Sequence, residues 1–112
     1  MNIDISYSPA YAVAKVTLNQ GEEVKGEAGA MMAMSPTVDI STSTQGGLLK
    51  GLKRSVLGGE SFFMNTFTAS AAGSEVLFAP ALAGDVIHWQ LTGKTVYLQS
   101  GSYLASSMGI DI

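Results

Sequence analysis

The residues of this chain best suited to chemistry lie in one glycine-rich, basic stretch, GGLLKGLKRSVLGGESFF at 46–63. Gly46 and Gly51 have the spacing of a phosphate-binding loop, in which backbone amides and a following lysine converge on phosphate oxygens. Leu52 occupies the lysine position, however, and Lys53 comes one residue late. The strand–loop–helix context of such loops is also missing, so the sequence predicts no nucleotide-phosphate site.

A serine nucleophile is the second chemistry that this stretch suggests. Ser61 follows Gly59 as in the Gly-x-Ser-x-Gly turn of serine hydrolases, but Phe63 stands where the second glycine must be. A catalytic triad would also need His88, the only histidine, as its base. We therefore interpret Ser61 as the surface-exposed start of a strand and predict that the protein is not an enzyme, with no catalytic residue.

Metal and cofactor binding have little support in the residue types. The chain has no cysteine and one histidine, whereas zinc sites use three or four ligands. Glu22, Glu23, Glu27 and Asp85 could join His88 in a carboxylate-rich site, but adjacent carboxylates on a strand point to opposite faces. We predict no cofactor and no metal ligand, and we keep His88 as a candidate contact for a small ligand in an interior apolar pocket.

The same stretch also fits a short amphipathic helix near 47–57, bracketed by paired glycines that favour helix ends. On a helical wheel its apolar residues form one stripe, and Lys50, Lys53 and Arg54 form the opposite face. Each such charge contributes about 1 kcal/mol near an anionic lipid surface. We interpret the helix first as a connector between strands and second as a contact for an anionic membrane surface.

Composition limits the partners of the chain. Hydrophobic residues make up 46% of its 112 residues and charged residues only 13%, so we predict that a homo-oligomer covers part of the surface. The net charge of −3 argues against nucleic-acid binding, which needs clustered positive charge. The start, MNIDISYSP, does not resemble a signal peptide, and no apolar run is long enough to span a bilayer. These features predict a cytoplasmic protein.

Alternation of apolar and polar residues runs through most of the chain and predicts β-strands. The predicted strands lie near 3–7, 12–18, 22–26, 35–45, 61–69, 85–91 and 94–99. Strands at this spacing, separated by short glycine-bearing turns, are typical of an all-β sandwich or barrel. We predict a single β-sandwich domain over 1–112, with GAMMAM at 29–34 in the core or at an oligomer contact.

Four blocks of the sequence together resemble a known family. They are GEEVKGEAGAMMAMSP at 21–36, GGLLKGLKRSVLGGESFFMNTFTA at 46–69, GDVIHWQL at 84–91 and LQSGSYLAS at 98–106. Over essentially its whole length the chain resembles an uncharacterised bacterial and archaeal family related to the mitochondrial biogenesis protein of the "altered inheritance of mitochondria" (AIM) type. The central block is the most specific of the four.

The resemblance implies a fold similar to the tryptophan RNA-binding attenuation protein (TRAP) superfamily, a jelly-roll-like sandwich of double-stranded β-helix type. It also implies a homo-oligomer, with a trimer favoured, and no established catalytic or cofactor-binding residue. Family members usually continue into a second β-rich half, so the chain resembles the N-terminal half of a longer member. The mitochondrial members are linked to the organisation of inner-membrane complexes.

From these observations we expect a non-enzymatic, oligomeric β-sandwich that acts as a scaffold or assembly module. One alternative is a peripheral membrane or lipid-interacting protein that uses Lys50, Lys53 and Arg54. Another is a β-sandwich that binds a small molecule or metal through His88.

Overall fold

Extended strands provide the regular structure of this chain, whose computed structural model describes residues 1–44, 63–99 and 101–110. The strands are β1 (Asn2–Ser6), β2 (Val13–Leu18), β3 (Glu23–Glu27), β4 (Met31–Met34), β5 (Val38–Thr44), β6 (Phe63–Ala69), β7 (Ser74–Phe78) and β8 (Ala105–Ser107). No helix occurs within the described ranges, and the predicted all-β class is confirmed there. The helix predicted near 47–57 lies outside the described residues.

The strands form two four-stranded antiparallel sheets. The first has the order β1-β2-β7-β4 and the second has the order β5-β6-β3-β8. In strand order, the chain passes from one sheet to the other five times: between β2 and β3, β3 and β4, β4 and β5, β6 and β7, and β7 and β8. These crossings place residues of both sheets in one hydrophobic cluster.

The first sheet follows the predicted alternation closely. Ala14, Val16 and Leu18 of β2 are buried, and the residues between them are half-buried. In β7 the buried residues Val76 and Phe78 lie opposite Val16 and Ala14 in the antiparallel register. Because side chains two residues apart share a face of a strand, one face of this sheet supplies half of the core.

Two phenylalanines join the sheets at the centre of the core. Phe67 of β6 and Phe78 of β7 are fully buried, and their ring centroids lie 5.4 Å apart with the rings at 82°. This edge-to-face geometry is a favoured arrangement for aromatic pairs. Gly26 of β3 makes room for it, because a Cβ at this position would lie 2.6 Å from Cε1 of Phe78.

A polar contact joins the loop before β5 to the start of β7. The hydroxyl oxygens of Thr37 and Ser74 lie 2.5 Å apart, and Ser74 donates its own proton to the carbonyl of Ala71 at 2.7 Å. A serine hydroxyl has one proton, so Thr37 is the donor in the contact with Ser74. The buried Ser74 side chain is thereby satisfied both as donor and as acceptor.

β3 is covered on both of its faces. Val24 packs in the core, whereas Lys25 points to the opposite side and is still only 9% exposed. The Lys25 ammonium donates a hydrogen bond to the carbonyl of Ile110, and the Tyr103 hydroxyl lies 3.4 Å from the Lys25 carbonyl oxygen. The segment around β8 thus packs over the outer side of β3, and burial there raises the pKa of Tyr103 to about 12.

Two predicted strands, at 85–91 and 94–99, are not formed. Residues 84–99 have no regular secondary structure, although Gly93 between the two runs adopts the turn-like φ of 69°. Alternating side chains are one requirement of a strand, and a neighbouring strand that pairs with its backbone is another. No described strand is paired with this segment, so the local pattern predicted the wrong structure.

The methionine cluster is divided between the core and the surface. Ala30 is buried and Met31 packs against the core, but Met32 and Met34 are 57% and 37% exposed. β4 lies at the edge of the first sheet, which leaves these two side chains without a covering layer among the described residues. Only the first part of the cluster therefore fits the prediction of core packing.

We expect Gly26→Ala to lower the free energy of unfolding by about 1–3 kcal/mol, the usual cost of forcing an extra methyl into a packed core. The added Cβ would collide with the Phe78 ring. Urea denaturation measures the change. The matched control is Gly84→Ala, because the nearest atom to a Cβ there is 3.9 Å away. Equal stabilities of the two variants would contradict the steric role of Gly26.

The pKa of Tyr103, raised from 10.0 to about 12, predicts a pH dependence of stability. The folded chain holds the phenol proton more tightly than the unfolded chain does. This contribution is therefore complete below pH 10 and is lost as the pH rises through about 12. We expect Tyr103→Phe to flatten the fall in unfolding free energy over this pH window, as measured by urea denaturation. The exposed Tyr11→Phe is the control, and an unchanged slope in Tyr103→Phe would contradict the prediction.

Candidate functional site

An apolar pocket lies between the β1 side of the first sheet and the β8 side of the second. Its volume is about 80 Å³, and it is partly open to solvent. Ile3 and Val16 line it from the first sheet, and Val24 and Ala105 line it from the second, with Phe78 also in contact. The alternation in β1 and β2 turns these apolar side chains inward, and β8 pairs with β3 to close the other wall. The pocket suits a small apolar group.

The segment after β7 forms part of the wall of this pocket. The Gly84 carbonyl accepts a hydrogen bond of 2.9 Å from the amide of Ala12, and Val86 packs against the core. Ile87 and His88 follow and also line the pocket. His88, the candidate ligand contact of the sequence analysis, thus lies beside an apolar cavity.

Two of the carboxylates considered as metal ligands, Glu22 and Glu23, form hydrogen bonds with groups other than His88. Glu22 accepts hydrogen bonds from the Asn19 amide and from the Met1 ammonium, both at 3.0 Å, and the Asn19 amide and then the ammonium lower the pKa of Glu22. Glu23 accepts a 2.8 Å hydrogen bond from the hydroxyl of Thr68. Within the described ranges, no three His, Cys, Asp or Glu residues are grouped as a metal ion requires.

The Asp85 carboxylate forms a hydrogen bond within its own segment. It accepts a hydrogen bond of 2.9 Å from the amide of Val86, the next residue. This contact fixes the start of the segment that lines the pocket.

Beyond the pocket the chain continues as an exposed apolar segment, which we call the arm (residues 85–98). Its large exposed side chains are Ile87, Trp89, Tyr97 and Leu98, with 81%, 63%, 93% and 57% of their surface exposed. None of residues 85–98 makes a backbone-to-backbone hydrogen bond with the described part of the chain. An exposed apolar segment with an unpaired backbone is characteristic of an interaction surface.

The remaining candidates lie outside the described residues. They are the basic positions Lys50, Lys53 and Arg54, the loop glycines Gly46 and Gly51, and Ser61. The membrane contact and the connector helix therefore stay predictions.

Sequence reasoning did not identify the residues that form the pocket. The pattern predicted that Ile3 and Ile5 share one face of a strand, and both line the cavity. It gave no signal that Leu104 and Ala105, about a hundred positions away, would face them. Alternation reveals which residues share a face, whereas a pocket depends on which faces meet.

Two antiparallel sheets around a common core, with an apolar pocket at one side and an exposed arm beside it, define an all-β domain. The chain belongs to the mitochondrial biogenesis AIM24 family, because the model of this family matches residues 3–112. This match confirms the family resemblance. The relation to the TRAP superfamily is not tested by it and stays a prediction.

Comparison with curated proteins and with solved structures found no similar protein. Among the described residues, no helix has the length and apolar character needed to cross a membrane.

Proposed function

We propose that the protein is a non-enzymatic homo-oligomer, a β-sandwich that serves as a scaffold or assembly module. The observation that carries this proposal is the arm, where large apolar side chains are exposed together on a segment whose backbone does not pair with the described part of the chain. In a small domain with few charges, such a surface is expected to be covered by another protein molecule.

The family description supports an assembly role over a specific reaction. It refers to mitochondrial biogenesis, a process, and not to a substrate or a chemical step. The family resemblance favours a trimer and a jelly-roll or TRAP-like version of the sandwich, and the sequence features favour a cytoplasmic location. Each of these is part of the proposal. Membrane contact through Lys50, Lys53 and Arg54 remains an additional hypothesis.

Light scattering coupled to size-exclusion chromatography tests the oligomer. At micromolar concentration we expect the mass of two or more chains of 11.6 kDa each. The apolar arm provides the physical reason, since covering it removes hydrophobic surface from water. Raising the salt concentration should leave the mass unchanged or increase it. A mass of one chain over a wide concentration range would contradict the proposed function.

The pocket supports a second candidate function, the binding of a small molecule with an apolar body and a polar end. The apolar walls would take the body, and the imidazole of His88 at the mouth would form a hydrogen bond with the polar end. The volume of about 80 Å³ limits the buried part to a group of a few atoms.

Benzene and phenol are suitable probes, because they share a ring and differ by one hydroxyl. We expect both to shift the methyl NMR signals of Ile3 and Val24. His88→Ala should weaken phenol binding about five-fold, the effect of one hydrogen bond of about 1 kcal/mol, and should not change benzene binding. Ala105→Leu, which fills the pocket, should abolish both. Benzene shifts that persist in Ala105→Leu would contradict this assignment of the site.

A further inference from the structure

We propose that residues 101–109, which we call the strap, open on two glycine hinges and admit an alkyl chain into the apolar pocket. This inference rests on the pocket described above as the second candidate function, and it names the class of ligand and its way in. It does not depend on the oligomer. The hinges, the edge pairing of β8 and the wall of the pocket support it.

Both ends of the strap are glycines in the left-handed region of the backbone. Gly101 has a φ of 82° and Gly109 has a φ of 88°. A residue without a Cβ changes between left-handed and right-handed conformations with little steric hindrance. Hinges are typically a few residues at the ends of an element that absorb such changes. The strap therefore has a pivot at each end.

Edge pairing attaches the strap to the second sheet. Its strand β8 has three residues, lies at the edge of the sheet and has β3 as its only described neighbour. Just before β8, the carbonyl of Leu104 accepts a hydrogen bond of 2.9 Å from the amide of Glu27. Elements of this kind open locally at a lower free energy than the core of a domain.

The strap also forms one wall of the pocket. Leu104 and Ala105 pack against the core and line the cavity together with Val24 and Phe78. An outward movement of the strap would bring water to Val24 and Phe78, so the closed form is favoured in the absence of a ligand. An apolar ligand that covers the same surface stabilises the open form and shifts the population towards it.

The closed pocket is small for the ligand that its walls suit. A cavity of about 150 Å³ holds one benzene ring, whereas this pocket has a volume of about 80 Å³. The strap runs beside the pocket, so its movement adds room along a strand. A flexible, unbranched alkyl chain fits such a space, and its polar end would form a hydrogen bond with His88 in the pocket wall.

Lys25 fixes the chain next to the second hinge. Its side chain is buried on the outer side of β3, and its ammonium donates a hydrogen bond to the carbonyl of Ile110. Ile110 directly follows Gly109. Hydrogen bonds from charged donors are roughly twice as strong as those between neutral groups. Lys25 is therefore a positioning residue that controls how often the strap opens.

Amide hydrogen exchange measures the opening without any ligand. The strap protects the amide of Glu27, whereas the buried Ala69 donates its amide to the carbonyl of Glu22 on the β6 side, at 3.0 Å. Relative to intrinsic rates, we expect Glu27 to exchange about ten-fold or more faster than Ala69, because local opening is easier than unfolding. Lys25→Met should increase this ratio about ten-fold further, the effect of one hydrogen bond from a charged donor.

Lys15→Met is the matched control for this experiment. Lys15 forms an ion pair with Glu75 at 3.6 Å on the first sheet, away from the strap. We expect this substitution to leave the ratio of the two exchange rates unchanged. Equal exchange of Glu27 and Ala69 in the wild type, or a ratio that Lys25→Met does not raise, would overturn the strap.

A disulfide tests whether the strap admits the ligand. The chain has no cysteine, and Val24 of β3 is the register partner of Ser107 in the strap. The Cα atoms of antiparallel partners lie about 4.5–5.5 Å apart, within the range of a disulfide. In the double variant Val24→Cys, Ser107→Cys, oxidation holds the strap closed. The reduced form of the same protein is the control.

Butanol, hexanol and octanol are the probes, and the methyl NMR signals of Ile3 report their binding. In the wild type and in the reduced variant we expect the affinity to rise about four-fold for each added methylene, the effect of burying that group. In the oxidised variant the affinity should stop rising, because the closed pocket buries only a few atoms. Benzene should bind the oxidised and reduced forms alike.

The outcomes separate the strap from the pocket. Benzene binding without a rise in affinity along the alcohols would overturn the strap and leave the pocket as a candidate site. An equal rise in the oxidised and reduced forms would also overturn it, because the chain would then enter without strap movement. If neither benzene nor any alcohol binds to the wild type, the second candidate function and this inference both fail.

Discussion

The approach of Phe67 to Phe78 is the constraint on which the rest of the structure depends. One ring comes from each sheet, and the pair is fully buried with its centroids 5.4 Å apart. A Cβ at Gly26 would collide with the Phe78 ring, so the lack of a side chain at this position allows Phe78 to pack against the second sheet. The pocket follows from this arrangement, because Phe78 and the neighbouring Val24 are also part of its wall.

The sequence was sufficient to predict three of the four strands at the centres of the sheets, β2, β3 and β6, but it did not predict β7. β2 has strict alternation and is buried on one face, so the local pattern and the three-dimensional environment agree there. The polar strand β5 was also predicted, because β-branched residues such as Val38 and Ile40 favour extended structure. The arm has the same alternation and forms no strand, since strand formation requires a partner that the local sequence does not specify. The pocket could not be predicted for a related reason, because β1 and β8 come from opposite ends of the chain.

Polar and apolar side chains are distributed unevenly over the surface of the domain. β5 exposes the polar residues Asp39, Ser41 and Thr42 together with Ile40, whereas the arm carries several large exposed apolar side chains next to the pocket.

The segment around Val86 belongs to two surfaces at once. It packs against the core at the mouth of the pocket, and it is the point from which the arm leaves the domain. A molecule in the pocket and a partner on the arm would each bias the position of this same short segment. Thermodynamic linkage then requires the two events to influence each other equally, in favour or in opposition. Val86 thus connects the wall of the pocket to the arm.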